Sequence, residues 1–347
     1  MTLDQLLAQD ILPDWLIRRV IRQFLAEKLK KETEPTLEKQ QEKLMVFVQE
    51  LKNSPIAIEE KAANEQHYEV PSTFFVMALG PRLKYSCALW EPHTKSLAEA
   101  EELMLALYCE RAELQDGMRI LELGCGWGSL SFYMAEKYPN ATITVVSNSR
   151  TQKLFIDDMA KLRGITNLEV ITANMVDFDL KDYPHWAPVD RIVSIEMMEH
   201  MKNYQALFQK IATWLTPEGK LFVHIFTHER LAYHYEDVDE KDWMTRYFFS
   251  GGTMPSTDLF HYFQDDLLLE NQWAVNGTHY EKTANAWIDN MVRHKASIMP
   301  ILTETYGPKE AKKWWMYWKV FFMACAELWG YAHGTEWQVT HYLFKKR

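Results

Sequence analysis

Cysteine is scarce in this chain: four residues in 347, Cys87, Cys109, Cys125 and Cys325, with no CxxC pair and no histidine at zinc-finger spacing. That excludes a disulfide framework and a structural zinc site as organising devices, and it suits a reducing compartment. Long apolar runs are missing too, since no stretch approaches the roughly 20 residues that span a bilayer. The opening "MTLDQLLAQDILPDW" places acids early and no basic segment ahead of an apolar core, which argues against a secretory signal. Cytoplasm is the expectation. Basic charge is in deficit: the net charge is −10, with 38 Lys and Arg against 48 Asp and Glu. A general nucleic-acid partner is therefore not expected, because phosphate binding needs a basic surface. There is no internal repeat and no low-complexity tract.

Aromatic side chains are abundant, with 13 Trp, 16 Tyr and 17 Phe. They supply a large core, an aromatic ligand pocket, or both. Much of this weight sits in "KKWWMYWKVFFMACAELWGY", a helix whose spacing favours core packing, although one face could wall a pocket. Aromatic faces also attract ammonium groups.

Residues 1–65 read as a charged helical cap. "DWLIRRVIRQFLAEKLKK" places Trp15, Leu16, Val20, Phe24 and Leu25 near one face, with Arg18, Arg19, Arg22 and Lys28 largely elsewhere. Such a helix suits an anionic membrane surface or packs on its own domain. The second is the expectation, with its charges in water. From about 95 to 225, apolar strand-like runs alternate with helical ones: "MRILELGCG", "ATITVVSNS", "LEVITANM", "VDRIVSIEMMEH" and "KLFVHIFT", the last following a turn at Pro217-Glu218-Gly219. That spacing implies parallel βαβ units in a doubly wound α/β sheet. Residues 66–227 form the expected core. Residues 228–335 read as a largely helical insertion on the substrate side, and 336–347, "EWQVTHYLFKKR", as a closing strand.

"ILELGCGWGSL" puts Gly124, Gly126 and Gly128 at alternate positions where the first strand hands over to a helix. Without Cβ atoms the backbone can lie against a ligand, and a left-handed φ is cheap. The spacing is E-x-G-x-G-x-G, with Glu122 leading, rather than the GxGxxG of dinucleotide folds. It fits a ligand with an amino acid and a nucleoside but no phosphate, namely S-adenosylmethionine (SAM). After the second strand, Asn148 and Gln152 stand where an acid usually binds the ribose hydroxyls, and after the third, Asn174 stands where an adenine contact is common; an amide can serve both.

At "YCERAELQDGMRILELGCGWGSL", "VSNSRTQKLFI", "EMMEHMKNY" and "FQDDLLLENQW" the chain resembles the coclaurine N-methyltransferase family, and the likeness runs essentially end to end. The resemblance implies a class I SAM-dependent methyltransferase with a mostly parallel seven-stranded sheet. It also implies a small, alkaloid-like amine as acceptor. From it, Tyr68 and Ser86 join Gly124, Gly126, Asn148, Gln152 and Asn174 near SAM, and Glu196, Glu199 and His200 in "SIEMMEHMKN" handle the amine. The chemistry agrees, because a secondary ammonium must lose a proton before its nitrogen attacks the methyl, and carboxylates and His suit that task.

The sister group, the cyclopropane-fatty-acid synthases, methylates lipid alkenes and holds a bicarbonate base with a Cys, a Glu, a His and a Tyr. Cys87, Glu199, His224 and Tyr280 match those positions. Under that alternative a membrane surface becomes a partner. The synthases usually have glycine where this chain has Glu196, and a carboxylate there suits a cationic amine better than an alkene. No metal is expected; His224, His228 and His234 lack a fixed carboxylate partner at ligand spacing. A homodimer is compatible with the sequence and not required by it.

Overall fold

The structure is a computed structural model describing residues 7, 11–58, 70–183, 185, 188–236 and 243–347. Tyr68 and residues 237–242, most of an acidic stretch, lie outside these residues. A seven-stranded sheet runs through the middle in the order β3-β2-β1-β4-β5-β9-β8. Its strands are β1 (Arg119–Leu123), β2 (Thr142–Ser147), β3 (Leu168–Thr172), β4 (Val189–Ile195), β5 (Leu215–His228), β8 (Leu267–Val275) and β9 (Trp337–Lys346). A separate two-stranded ribbon pairs β6 (Tyr233–His234) with β7 (Thr253–Met254). The first five strands pair in parallel, while β9 is antiparallel to β5 and β8 antiparallel to β9.

Eleven helices are described: α1 (Asp14–Glu32), α2 (Leu37–Asn53), α3 (Ser72–Ala78), α4 (Leu97–Arg111), α5 (Ser129–Lys137), α6 (Arg150–Arg163), α7 (Tyr204–Trp214), α8 (Trp243–Phe248), α9 (Thr278–Arg293), α10 (Lys295–Tyr306) and α11 (Ala311–Trp329). Their ends follow local chemistry. Ser96, Ser149 and Asn203 accept from the third residue of α4, α6 and α7, and Gly164 ends α6 at φ +67°.

Alternation along β1 sends Ile120 to one core and Leu121 and Leu123 to the other. On the first side lie α4, α5, α6 and the aromatic helices α9 and α11; on the second lie α2 and α7. Helices on both faces make the sheet doubly wound, as the sequence implied. The order reverses between β1 and β4, and such switch points open a crevice at the carboxyl ends of parallel strands.

Three details differ from the sequence reading. The seventh strand, β8, falls inside 228–335, which read as largely helical. Pro217–Gly219 sits within β5 rather than ahead of it, and the β4–β5 register shifts between Val189 and Arg191. Finally, α1 packs on its own domain as expected, against α11, but Arg18 does not face water, whereas Arg22 stays largely exposed. Arg18 Nη1 donates to Glu327 Oε1 at 2.8 Å, its Nη2 reaches Asn285 Oδ1 at 2.7 Å, and Arg22 also binds Glu327. Glu327 is buried on α11, so Arg18 is drawn inward to offset its charge while Arg22 reaches it from the surface.

Candidate active site

At the carboxyl end of β1 the chain turns through Gly124, Gly126 and Gly128, all with positive φ. A Cβ on Gly124 would stand 2.7 Å from Met197 Cβ and Cγ, so this glycine permits close approach of the β4 turn. At Gly126 a Cβ would meet no heavy atom within 4 Å, because the residue faces a cavity. That cavity, about 160 Å³, is lined by Ser86, Gly124, Gly126, Asn148 and Gln152, and on its far side by Glu196 and His200.

The lining fits SAM. Gln152 is buried; its Oε1 accepts from Ser147 Oγ at 2.7 Å, and its Nε2 has no protein partner among the described residues. Ser129 Oγ, at the start of α5, is likewise without one. Both are polar atoms that a nucleoside or amino-acid group would satisfy. Asn148 is exposed at the rim. Asn174 departs from expectation: its neighbours Ala173 and Met175 line the cavity, but its own Oδ1 accepts from Val176 N at 2.8 Å within a tight turn.

A second cavity, about 110 Å³, adjoins the first and shares Tyr85, Glu196 and His200 with it. Its remaining wall is mainly aromatic: Phe226, Tyr235, Phe249, Tyr280, Trp287, Phe321 and Trp329, with Met244, Cys325 and Leu328. Tyr280 and Trp329 stack with centroids 5.0 Å apart and planes 3° from parallel. The sequence suggested an aromatic wall from α11 without identifying these members; Tyr85 and Trp287 had no signal beyond residue type.

Glu196 stands on the partition between the cavities, in a left-handed conformation at φ +49°. Three groups converge on its carboxylate. Cys87 N donates to Oε1 at 3.1 Å, His224 Nε2 lies 3.0 Å from the same oxygen, and Tyr280 OH donates to Oε2 at 2.7 Å. Burial raises the Glu196 carboxyl, while Lys84, Tyr280 and the Cys87 N–H pull it back toward ionisation. Lys84 is itself buried, donating to Ser86 Oγ, to Cys87 O at 2.7 Å and to Tyr108 OH at 2.8 Å, and burial lowers it to about 8. It remains charged at pH 7.

Glu199 differs in every respect. It is fully buried, lines neither cavity, and uses Oε1 to accept from Phe226 N at 3.1 Å; Oε2 has no partner among the described residues. Burial, and then the charge of Glu196, push it well above the usual carboxylate range, so it is the protonated member of the pair. His200 borders both cavities, and burial, assisted by Lys202, lowers it to about 4. It is a neutral imidazole at pH 7. Of the four residues matched to a bicarbonate site, Cys87, His224 and Tyr280 meet at one point, and the Glu196 carboxylate occupies that point.

The remaining histidines go to separate places. His228 is buried and its Nδ1 accepts from Arg230 N and Leu231 N, whereas His234 pairs with Lys202 and Glu50. Among the described residues no cluster could hold a metal ion, and no helix is long and apolar enough to cross a membrane.

Residues 57–333 match the family model for mycolic acid cyclopropane synthetase. Across 341 residues the chain is 39% identical to (S)-coclaurine N-methyltransferase of Thalictrum flavum subsp. glaucum, covering 97% of this chain and 93% of that protein. It is 36% identical to pavine N-methyltransferase of the same plant, covering 95% and 92%. A crystal structure of coclaurine N-methyltransferase bound to N-methylheliamine and S-adenosylhomocysteine superposes with a TM-score of 0.95 at 37% identity, covering 99% of both chains.

Proposed function

The chain belongs to the coclaurine N-methyltransferase family of SAM-dependent methyltransferases, and from that premise we propose that it methylates the nitrogen of a small aromatic, alkaloid-like amine. The observation that carries this reading is the position of Glu196. In the sister synthases a bicarbonate sits among a Cys, a Glu, a His and a Tyr; here Cys87, His224 and Tyr280 already hold a protein carboxylate. A fixed anion beside an aromatic cavity suits a cation with an apolar body. Buried carboxylate and aromatic faces both favour an ammonium.

When bound, SAM supplies an electrophilic methyl group on its sulfonium. Ser86, Gly124, Gly126, Asn148 and Gln152 are its proposed cradle. Glu196 receives the acceptor as an ammonium and orients its N–H bonds. His200, which borders both cavities, takes the proton, so that the lone pair faces the first cavity. Glu199, held protonated, fixes the Glu196–His200 turn through Phe226 N and adds no second negative charge. The aromatic wall excludes water and restricts the acceptor's orientation, which supplies much of the rate in a one-step displacement. Four free thiols, three of them buried, support a cytoplasmic setting.

Incubation with isotopically labelled SAM and a panel of secondary cyclic amines, primary amines and unsaturated phospholipid vesicles tests the assignment. Mass spectrometry should find the label on amine nitrogen. A methylene gain on acyl chains that depends on added bicarbonate would overturn it.

A further inference from the structure

Behind Glu196, a row of rings runs along one face of the sheet, from β5 across β9 toward the β8 edge. His224 on β5 and His341 on β9 are paired in antiparallel register, and both are fully buried. His224 Nε2 lies 3.0 Å from Glu196 Oε1, and His224 Nδ1 lies 2.9 Å from His341 Nε2. His341 Nδ1 in turn lies 2.7 Å from Nη1 of Arg111, the last residue of α4. The Arg111 guanidinium is half-buried over the Trp273 ring of β8, 5.0 Å from its centroid. Tyr108, one turn back on α4, packs its ring against both imidazoles.

The direction of this string follows from its far end. A guanidinium has only donors and keeps its proton. His341 Nδ1 must therefore accept, which leaves its proton on Nε2, pointing at His224. His224 Nδ1 must accept in the same way, so its proton is on Nε2 and points at Glu196. We infer that Arg111 and His341 are positioning residues for the acceptor-side carboxylate: through two neutral imidazoles they make His224 present an N–H, never a lone pair, to Glu196. The reversed string contains as many bonds between the rings, but in it Glu196 carries the proton and cannot receive an ammonium. Arg111 selects between the two. Burial supports the neutral rings by lowering both histidines well below their ordinary range.

This inference rests on the reading of Glu196 as the group that binds the amine. Other titratable groups also face that carboxylate: Lys84 and Cys87 from the segment before α4, Tyr108 from α4, Glu199 and His200 from its own turn, Tyr280 from α9 and Cys325 from α11. None of them contacts Arg111 except Tyr108, which shares its helix, so a change at Arg111 isolates the string from the acceptor cavity.

Two measurements on the full chain test it. In histidine-labelled wild type, ¹⁵N NMR should find His224 and His341 both as Nε2–H tautomers. Either ring as Nδ1–H or as imidazolium would overturn the inference, whatever the enzyme's acceptor proves to be. In Arg111→Met, the acidic limb of kcat/KM against pH should move up by about one unit, a tenfold change in proton affinity, with S-adenosylhomocysteine affinity within about threefold of wild type. Arg111→Lys should restore the limb. An unchanged limb in an Arg111→Met protein of wild-type melting temperature would also overturn it. Loss of methyl transfer to every amine in the wild type would refute the functional reading instead, and the NMR result would still decide the string.

Discussion

Replacing Glu196 with glycine removes the proposed amine-binding charge while leaving its three donors in place. The backbone at this position already lies at φ +49°, where a side chain costs roughly 1–2 kcal/mol. Glu196→Gly relieves that strain, and the turn has no reason to move. The loss falls on the acceptor. An ammonium and a carboxylate at ~4 Å interact by about 4 kcal/mol at an effective dielectric near 20, so kcat/KM should fall by roughly 10²–10³. The Cys87 N–H, the His224 N–H and the Tyr280 O–H would then face a void of carboxylate size. A small planar oxyanion, formate or bicarbonate, can satisfy all three. Methyl transfer to a secondary cyclic amine should recover at least about tenfold on adding such an anion, some 1.4 kcal/mol of what was lost. Isotope-labelled methyl transfer reads the rate, and calorimetry with S-adenosylhomocysteine confirms an intact donor cavity. Wild-type activity without added anion would refute the reasoning. So would complete loss with no anion response in a variant that binds S-adenosylhomocysteine normally.

Gly124→Ala forces a Cβ to 2.7 Å from Met197 at φ +80°; both the melting temperature and S-adenosylhomocysteine affinity should drop, and an unchanged dissociation constant would remove the glycine turn from the donor site. Trp329→Leu removes the partner stacked on Tyr280 and a cation–π contribution of ~0.5–2 kcal/mol. KM for an aromatic amine should rise roughly three- to thirtyfold, whereas an equal KM would mean that the acceptor does not rest there. Burial raises Glu101 to about 7 and Glu122 to about 8, both above an ordinary 4.5. The folded state therefore holds their protons more tightly than the unfolded chain, so this stability is complete below about pH 4.5 and lost as pH rises through 7 to 8. Melting temperature should decline from about pH 4.5 to 8, and Glu101→Gln should flatten the part of that slope below about 7; an identical slope would exclude Glu101 as its source.

Patterned segments were legible in the sequence and committed side chains were less so. β1 through β5 declare themselves as apolar runs separated by helices, and β9 by alternation. β8 does not, because its middle carries Glu270, Asn271 and Gln272 on the outer edge of the sheet, where a strand needs only one partner. At the site, Gly124, Gly126 and Gln152 line the first cavity and Glu196, named from the resemblance, borders both. Asn174 and Glu199 occupy the expected turns but direct their oxygens to the backbone amides of Val176 and Phe226, a choice of partner that spacing does not encode. His341 and Arg111 could not be singled out, since their meeting depends on how β9 returns beside β5 and on where α4 stops.

The partition built from Tyr85, Glu196 and His200 divides the chain into two regions as well as separating two cavities. Every residue bordering the donor side falls between Leu83 and Met201, whereas every other residue bordering the acceptor side falls between Phe226 and Trp329. Selection can therefore recut the second region to admit a new acceptor while the first continues to bind the same donor unaltered.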